Sequence, residues 1–239
     1  MQNKETDKTS EQLRKTFWRF IVVVIFGIAL GYFEAAVVVY LREIFYPDGF
    51  TFPLVIFSID EQFKRLFLTE VGREAASLVI IITGAWIFGR NRRQFAAYFL
   101  TIFAVWDIFY YVWLKALLDW PASIMDWDIL FLIPMTWASP VLAPVLCSAV
   151  MLVFAAIILY SDSIGRKFTT TYFDWLAFTL ASLIIIVSFC IPGPYTEQAD
   201  YNSYFYWPLF GAGLLLAIGT FIKCIIKSEQ AIAETACAH

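Results

Sequence analysis

The chain has 239 residues, of which 61% are hydrophobic, 19% aromatic and 15% charged, and its formal net charge is −3. This composition excludes an ordinary soluble domain, in which about 45–50% of residues are apolar and about 25% are charged. The slightly acidic balance excludes a general nucleic-acid-binding surface. Hydrophobic runs of about 18 or more residues recur along the chain, so the sequence predicts an all-α, polytopic membrane helix bundle in contact with the lipid bilayer.

Six transmembrane helices are predicted, at residues 17–41, 73–89, 95–118, 140–160, 172–191 and 205–226. The transmembrane domain then covers residues 17–227, between a polar tail at 1–16 and a second tail at 228–239. The first hydrophobic run is long and is followed by no small-residue cleavage site, so we expect it to remain as a span. Most of the 17 Lys and Arg residues fall on one side of this arrangement. The positive-inside rule therefore predicts that both termini and both tails are cytoplasmic.

The connection between the first two spans carries a helix signal of its own. Ser58 followed by Glu61 has the pattern of a capping box, which favours the start of a helix. After it, the apolar residues Phe63 and Phe67 flank the basic residues Lys64 and Arg65. We therefore expect a separate amphipathic helix over about residues 59–71, lying at the lipid headgroups before the second span begins.

The segment 119–139, between the third and fourth spans, is too apolar for an ordinary loop and too short to cross a bilayer. Ser123 and Asp126 are candidate caps of a short helix, and Pro134 is expected to end that helix. The sequence thus predicts a short helix after the third span. A re-entrant position and a position on the membrane surface both remain open.

Small residues in the first span predict close helix packing. Gly27 and Gly31 are separated by one helical turn, and such a stripe lets a neighbouring helix approach closely. Glu34 lies seven residues after Gly27, within about 20° of the same stripe, and is predicted to face the bundle. The stripe is also the predicted contact surface for a protein partner or for a second copy of the chain.

Ionisable side chains inside a bilayer are costly, so each is a candidate functional residue. Those of this chain fall near the predicted midplane or in the outer half of the bundle, and two tyrosines share the helix face of the acidic residue in the third span. They predict an outward-facing polar cavity lined by Glu34, Glu70, Arg73, Glu74, Asp107, Tyr110, Tyr111 and Lys115. In the alternative interpretation, a carboxylate pairs with the arginine only to fix the helices together.

Metal and cofactor chemistry has little support in the sequence, and we expect no cofactor. The single histidine is His239, the last residue, so a histidine-bound haem or metal inside the membrane is excluded. The four cysteines form no C-x-x-C pair, which argues against a disulfide framework. Asp126 and Asp128 form an Asp-x-Asp pair, the kind that holds Mg²⁺ against a diphosphate, and this pair is the weak candidate for a metal site.

Several motifs carry a resemblance: Gly31-Tyr-Phe-Glu-Ala-Ala36, Gly72-Arg-Glu-Ala-Ala76, Trp106-Asp-Ile-Phe-Tyr-Tyr111, Trp127-Asp-Ile-Leu-Phe-Leu-Ile-Pro134 and Pro140-Val-Leu-Ala-Pro144. Across residues 1–160, the chain resembles a family of uncharacterised bacterial multi-span inner-membrane proteins. The resemblance implies a location in the bacterial cytoplasmic membrane. It implies no activity and assigns no catalytic residue.

Three hypotheses about function follow. The first is transport of a small solute, a proton or another cation through the carboxylate- and arginine-lined cavity. The second is a non-catalytic subunit or anchor of a larger membrane complex, which packs through Gly27 and Gly31. The third is an enzyme that acts on a lipid or an isoprenoid diphosphate through Asp126 and Asp128, and it has the least support.

Overall fold

The structure is a computed structural model, and it describes residues 2–47, 49–55, 61–166 and 168–237. Within these residues, six helices are long enough and apolar enough to cross a membrane, which confirms the predicted all-α bundle of six spans. They are α1 (Gln2–Phe45), α2 (Glu61–Phe88), α3 (Arg92–Leu118), α4 (Leu142–Ser163), α5 (Tyr172–Cys190) and α6 (Trp207–Cys237).

Local side-chain chemistry fixes several helix ends. Asn91 caps α3 by accepting a hydrogen bond from the backbone N–H of Gln94, and Thr171 and Asp174 form a reciprocal capping box at the start of α5. Asp119 ends α3 in the left-handed conformation, with φ of 53°. These caps satisfy backbone groups that a helix terminus leaves without an intrahelical partner.

The segment after α3 is not a short helix, and this corrects the sequence-based prediction. It contains two antiparallel strands, β1 (Trp127–Phe131) and β2 (Trp137–Pro140), which form a hairpin. The Asp126 carboxylate caps the turn before β1 by accepting from the backbone N–H groups of Ala122 and Ser123. A short apolar run bounded by prolines fits a buried strand as well as a buried helix, so its periodicity did not distinguish them.

The hairpin reaches deep between the helices. The ring of Phe131 lies 6.0 Å from the ring of Trp106, measured between centroids. Trp106 lies twelve residues before the end of α3 at Leu118, which is about 18 Å along the helix axis. This depth fits the re-entrant position, one of the two that the sequence left open, and it surrounds the non-helical backbone with protein.

A separate amphipathic helix before the second span is not found among the described residues. Residues 61–71 belong to α2, which runs without interruption from Glu61 to Phe88. The helix does not break between the two predicted segments, where Gly72 lies, because a single glycine costs a helix only about 1 kcal/mol. The proposed cap at Ser58 lies outside the described residues.

Helix α3 is the centre of the bundle and packs against α1, α2 and α4. The small-residue stripe of α1 makes its close contact with α3 of the same chain: a Cβ atom added at Gly27 would lie 2.9 Å from Val105, and one added at Gly31 would lie 3.0 Å from the carbonyl oxygen of Trp106. This intramolecular contact occupies the surface that the sequence offered to a partner.

Candidate functional site

A cavity of about 290 Å³ lies between α1, α2, α3, α4 and the hairpin. Its polar lining residues are Glu34, Arg42, Glu70, Arg73, Glu74, Asp107, Tyr110, Tyr111, Asp128 and Ser148. Its aromatic walls are completed by Phe45, Tyr46, Phe50, Phe67, Phe103, Trp106, Phe131, Trp137 and Phe189. The volume is close to the lower end of the range for small-molecule sites, about 300–1,000 Å³.

Arg73 joins carboxylates from two helices at one side of this cavity. Its guanidinium forms ion pairs with Glu34 of α1 and with Glu70 of its own helix, and the Arg73 Nε lies 3.0 Å from each Glu70 oxygen. Glu34 therefore faces the bundle as its helical position predicts. The cluster thus contains one cation, the Arg73 guanidinium, between the two carboxylates of Glu34 and Glu70.

Glu74 does not contact Arg73 in the same way but supports the hairpin. Its side-chain oxygens accept from the backbone N–H of Leu132, at 2.9 and 3.1 Å, just beyond the end of β1. Glu74 is only 5% exposed. A buried carboxylate on a strand-end N–H satisfies a backbone donor that the two-stranded sheet leaves unpaired, so this contact attaches the hairpin to α2.

A second buried cluster is centred on Arg42 and Asp128, which are 86 residues apart in the chain. Arg42 Nη2 lies 3.0 Å from Asp128 Oδ1, and the Tyr110 hydroxyl donates to Asp128 Oδ2 at 3.2 Å. The guanidinium carbon also lies 3.8 Å from the ring centroid of Trp120 and 4.1 Å from that of Phe50. This ion pair attaches β1 to α1 and excludes solvent from both charges.

Asp107 differs from Glu34, Glu70 and Asp128, the cavity carboxylates that are paired with an arginine. Its Oδ2 accepts a hydrogen bond of 2.7 Å from the hydroxyl of Ser148 on α4. Among the residues that the structure describes, it forms no ion pair. It is thus a carboxyl group in the middle of a spanning helix, on the wall of a cavity, with one neutral donor.

Seven of the eight residues predicted to line the cavity do so, and Lys115 does not. The Lys115 ammonium group lies 2.8 Å from Asp119 Oδ1, and both side chains are at least half exposed. This neighbour lowers the pKa of Asp119 through a hydrogen bond and charge attraction. Lys115 belongs to the end of α3, where a long cationic side chain reaches toward the polar interface.

The carboxylates of Asp126 and Asp128, the weak metal candidate, are both engaged in other hydrogen bonds. The Asp126 carboxylate binds two backbone N–H groups, and the Asp128 carboxylate binds Arg42 and Tyr110. Among the described residues, no group of three or more His, Cys, Asp or Glu side chains is arranged to hold a metal ion. The geometry thus gives the third hypothesis no added support.

Sequence reasoning missed Arg42, Trp106 and Trp137 as lining residues and treated Asp128 only as a metal candidate. The predicted first span ends at residue 41, which places Arg42 in the loop that follows it. The helix continues to Phe45, so the side chain stays inside the bundle. A strand prediction for Trp127–Phe131 would have indicated that Asp128 belongs to a buried hairpin.

Comparison of the chain with family models, with curated proteins and with solved structures finds no match. The chemistry of the cavity is therefore derived from its own residues and their geometry.

Proposed function

We propose that this protein is a small-solute carrier whose substrate occupies the cavity beneath the hairpin, with Asp107 as the group that exchanges a proton or another cation. The observation that carries the proposal is the state of Asp107: it lines the cavity, lies mid-span and has Ser148 as its hydrogen-bond partner. An ionisable residue in that position is costly and is typical of a proton or ion pathway.

The contrast with the neighbouring carboxylates supports this role. Glu34 and Glu70 share the Arg73 guanidinium, and Asp128 is paired with Arg42. Each of these three carboxylates lies in an ion pair, so the gain of a proton at any of them would break that pair. Asp107 has no such pair among the described residues, and its change of charge breaks only a bond to a hydroxyl group. Glu74 has no ion pair among the described residues either, but its carboxylate binds the backbone N–H of Leu132 and so holds the hairpin.

The hairpin provides the second requirement of a carrier, a barrier over the site. It covers the cavity with residues 128–132, and its polar attachments include the ion pair of Asp128 with Arg42 of α1 and the hydrogen bonds of the Leu132 N–H to Glu74 of α2. Non-helical backbone at this depth is tolerated where it lines a cavity, and in many carriers such segments form the substrate site.

We expect the Asp107→Asn substitution to lower proton uptake at least about tenfold, because an amide, unlike a carboxyl group, does not take up and release a proton at accessible pH. The measurement uses the purified chain in liposomes that hold a pH-sensitive dye, with uptake driven by a potassium diffusion potential. Asp107→Glu, which keeps the carboxyl group, is expected to retain part of the flux.

The matched control is Asp162→Asn, which changes the same chemical group at the far end of α4, where it binds Asn91 and Gln94 and does not line the cavity. We expect its flux to equal that of the wild type. Wild-type flux no greater than that of empty liposomes, or equal flux from Asp107→Asn and the wild type, would contradict the assignment of Asp107.

A further inference from the structure

Three side chains that line the cavity each carry a buried hydrogen-bond donor without an acceptor among the described residues. These donors are Nη1 of Arg42, Nε1 of Trp106 and Nε1 of Trp137. Arg42 is only 7% exposed and Trp106 only 5%. A buried donor without an acceptor is unfavourable, and most buried polar groups in proteins have a partner. A ligand that brings acceptor oxygens to these side chains would satisfy their donors.

These donors lie at two separated positions along β1. Trp106 and Trp137 both pack on Phe131, with ring centroids 6.0 and 5.5 Å from it. Arg42 instead binds Asp128, three residues earlier and thus about 10 Å away along the strand. A ligand that satisfies both positions carries acceptors at its two ends and an apolar body between them.

The charges of the cavity select a neutral ligand. Among its lining residues, five carboxylates (Glu34, Glu70, Glu74, Asp107 and Asp128) outnumber two arginines. Both arginines are already paired with carboxylates, so an anion would meet walls of excess negative charge. A cation would leave the three donors without acceptors. Aromatic walls add a preference for a flat ring, which stacks favourably against aromatic side chains.

A second cavity lies next to this one, between α2 and the turn of the hairpin. It has a volume of about 440 Å³, shares Phe67 and Leu132 with the first and is lined mainly by apolar residues of α2 and of the hairpin turn. Among the described helices, α2 packs mainly against α3. The second cavity is lined by α2, by the hairpin turn and by the segment after α5. Leu68, which lines this second cavity, is 68% exposed.

We propose that the cavity binds a neutral, lipid-soluble compound with carbonyl oxygens on a flat ring, the chemistry of a quinone, whose apolar tail lies in the second cavity. This deepens the proposed function by naming the substrate class of the same site. The carbonyl oxygens accept from the tryptophan Nε1 groups at one end and from Arg42 Nη1 at the other.

The test is a titration of the purified full chain in lipid nanodiscs with decylubiquinone, followed by quenching of tryptophan fluorescence against empty nanodiscs. We expect saturable quenching. Trp106→Phe and Trp137→Phe keep the ring but remove one donor each, and each is expected to weaken binding about fivefold to tenfold, the cost of a neutral hydrogen bond. Trp86→Phe is the matched control, because Trp86 is 74% exposed and does not line the cavity, and its affinity is expected to equal that of the wild type.

Three competitors test the acceptor oxygens and the charge of the ligand separately. Decylbenzene has a ring but no acceptor oxygen, laurate is an anion, and dodecylamine is a cation. At concentrations equal to that of decylubiquinone, all three are expected to reverse little of the quenching that decylubiquinone causes. The inference is overturned by the absence of saturable quenching, by equal affinities of Trp106→Phe and Trp86→Phe, or by reversal of half or more of the quenching by any of the three. The titration uses no gradient, so its failure is distinct from a failure of the proton-flux experiment on Asp107.

Discussion

Substitution of Arg42 by methionine is expected to lower the free energy of unfolding by about 3–5 kcal/mol, the usual cost of removing one partner of a buried ion pair. Asp128 is 2% exposed at its side chain, so its carboxylate would keep the Tyr110 hydroxyl but would lose its cation while it stays buried. Methionine preserves most of the apolar contact that the arginine stem makes. The measurement is unfolding of the purified chain in detergent, followed by intrinsic fluorescence.

Two further variants separate the ion pair from general damage. Arg42→Met combined with Asp128→Asn leaves no unpaired charge and is expected to recover part of the lost stability. Lys115→Met removes a cation of similar size from a pair in which Lys115 is 50% and Asp119 93% exposed, and we expect little change because exposed pairs contribute little. Equal losses from Arg42→Met and Lys115→Met would show that the buried pair has no special role.

Substitution of Gly193 by alanine is expected to destabilise the fold by about 3 kcal/mol, at the upper end of the usual cost of overpacking. Gly193 is buried after α5, and an added Cβ atom would overlap the carbonyl oxygen of Thr136 in the hairpin turn. Both groups are backbone, so the hairpin itself must shift. Because the hairpin covers the cavity, Cys147 on the cavity wall is expected to react faster with a maleimide, measured by mass spectrometry.

The matched control is Gly219→Ala in α6, where an added Cβ atom meets nothing within 4 Å. It adds the same methyl group and also favours the helix, so stability is expected to stay the same or rise by about 1 kcal/mol. The reactivity of Cys147 should not change in this variant. If Gly193→Ala behaves like Gly219→Ala in both measurements, the hairpin turn is not held against this segment.

The spans were predictable because each rests on a local signal. Long apolar runs define six helices, and the 3.6-residue period indicated that Glu34 lies on the stripe of Gly27 and Gly31, which the structure packs against α3. The same arithmetic brought Glu34 and Arg73 into one cavity. What these signals have in common is that they depend on residues within a few turns of each other.

The parts that escaped prediction depend on distant residues. Strand β1 is stable as a strand because β2 pairs with it and the helices surround it, and neither fact can be read from its own sequence. The pairing of Arg42 with Asp128 joins elements 86 residues apart. Lys115 was wrongly included although the end of the third span was predicted correctly, because its long side chain turns to Asp119 at the end of α3 and not into the bundle. Arg42 was left out because the predicted first span ends at residue 41, four residues before the end of α1.

The attachment of α5 and α6 has a mechanical consequence. These two helices pack against each other, while α5 meets the rest of the chain mainly through β2, where the rings of Trp137 and Phe189 stack with centroids 6.1 Å apart. A second stack, of Phe154 on Phe221 at 3.9 Å, joins α4 to α6 further along the bundle. Aromatic stacks thus join the α5–α6 pair to the hairpin at one position and to α4 at another. A displacement of the hairpin would therefore act on this helix pair through Phe189.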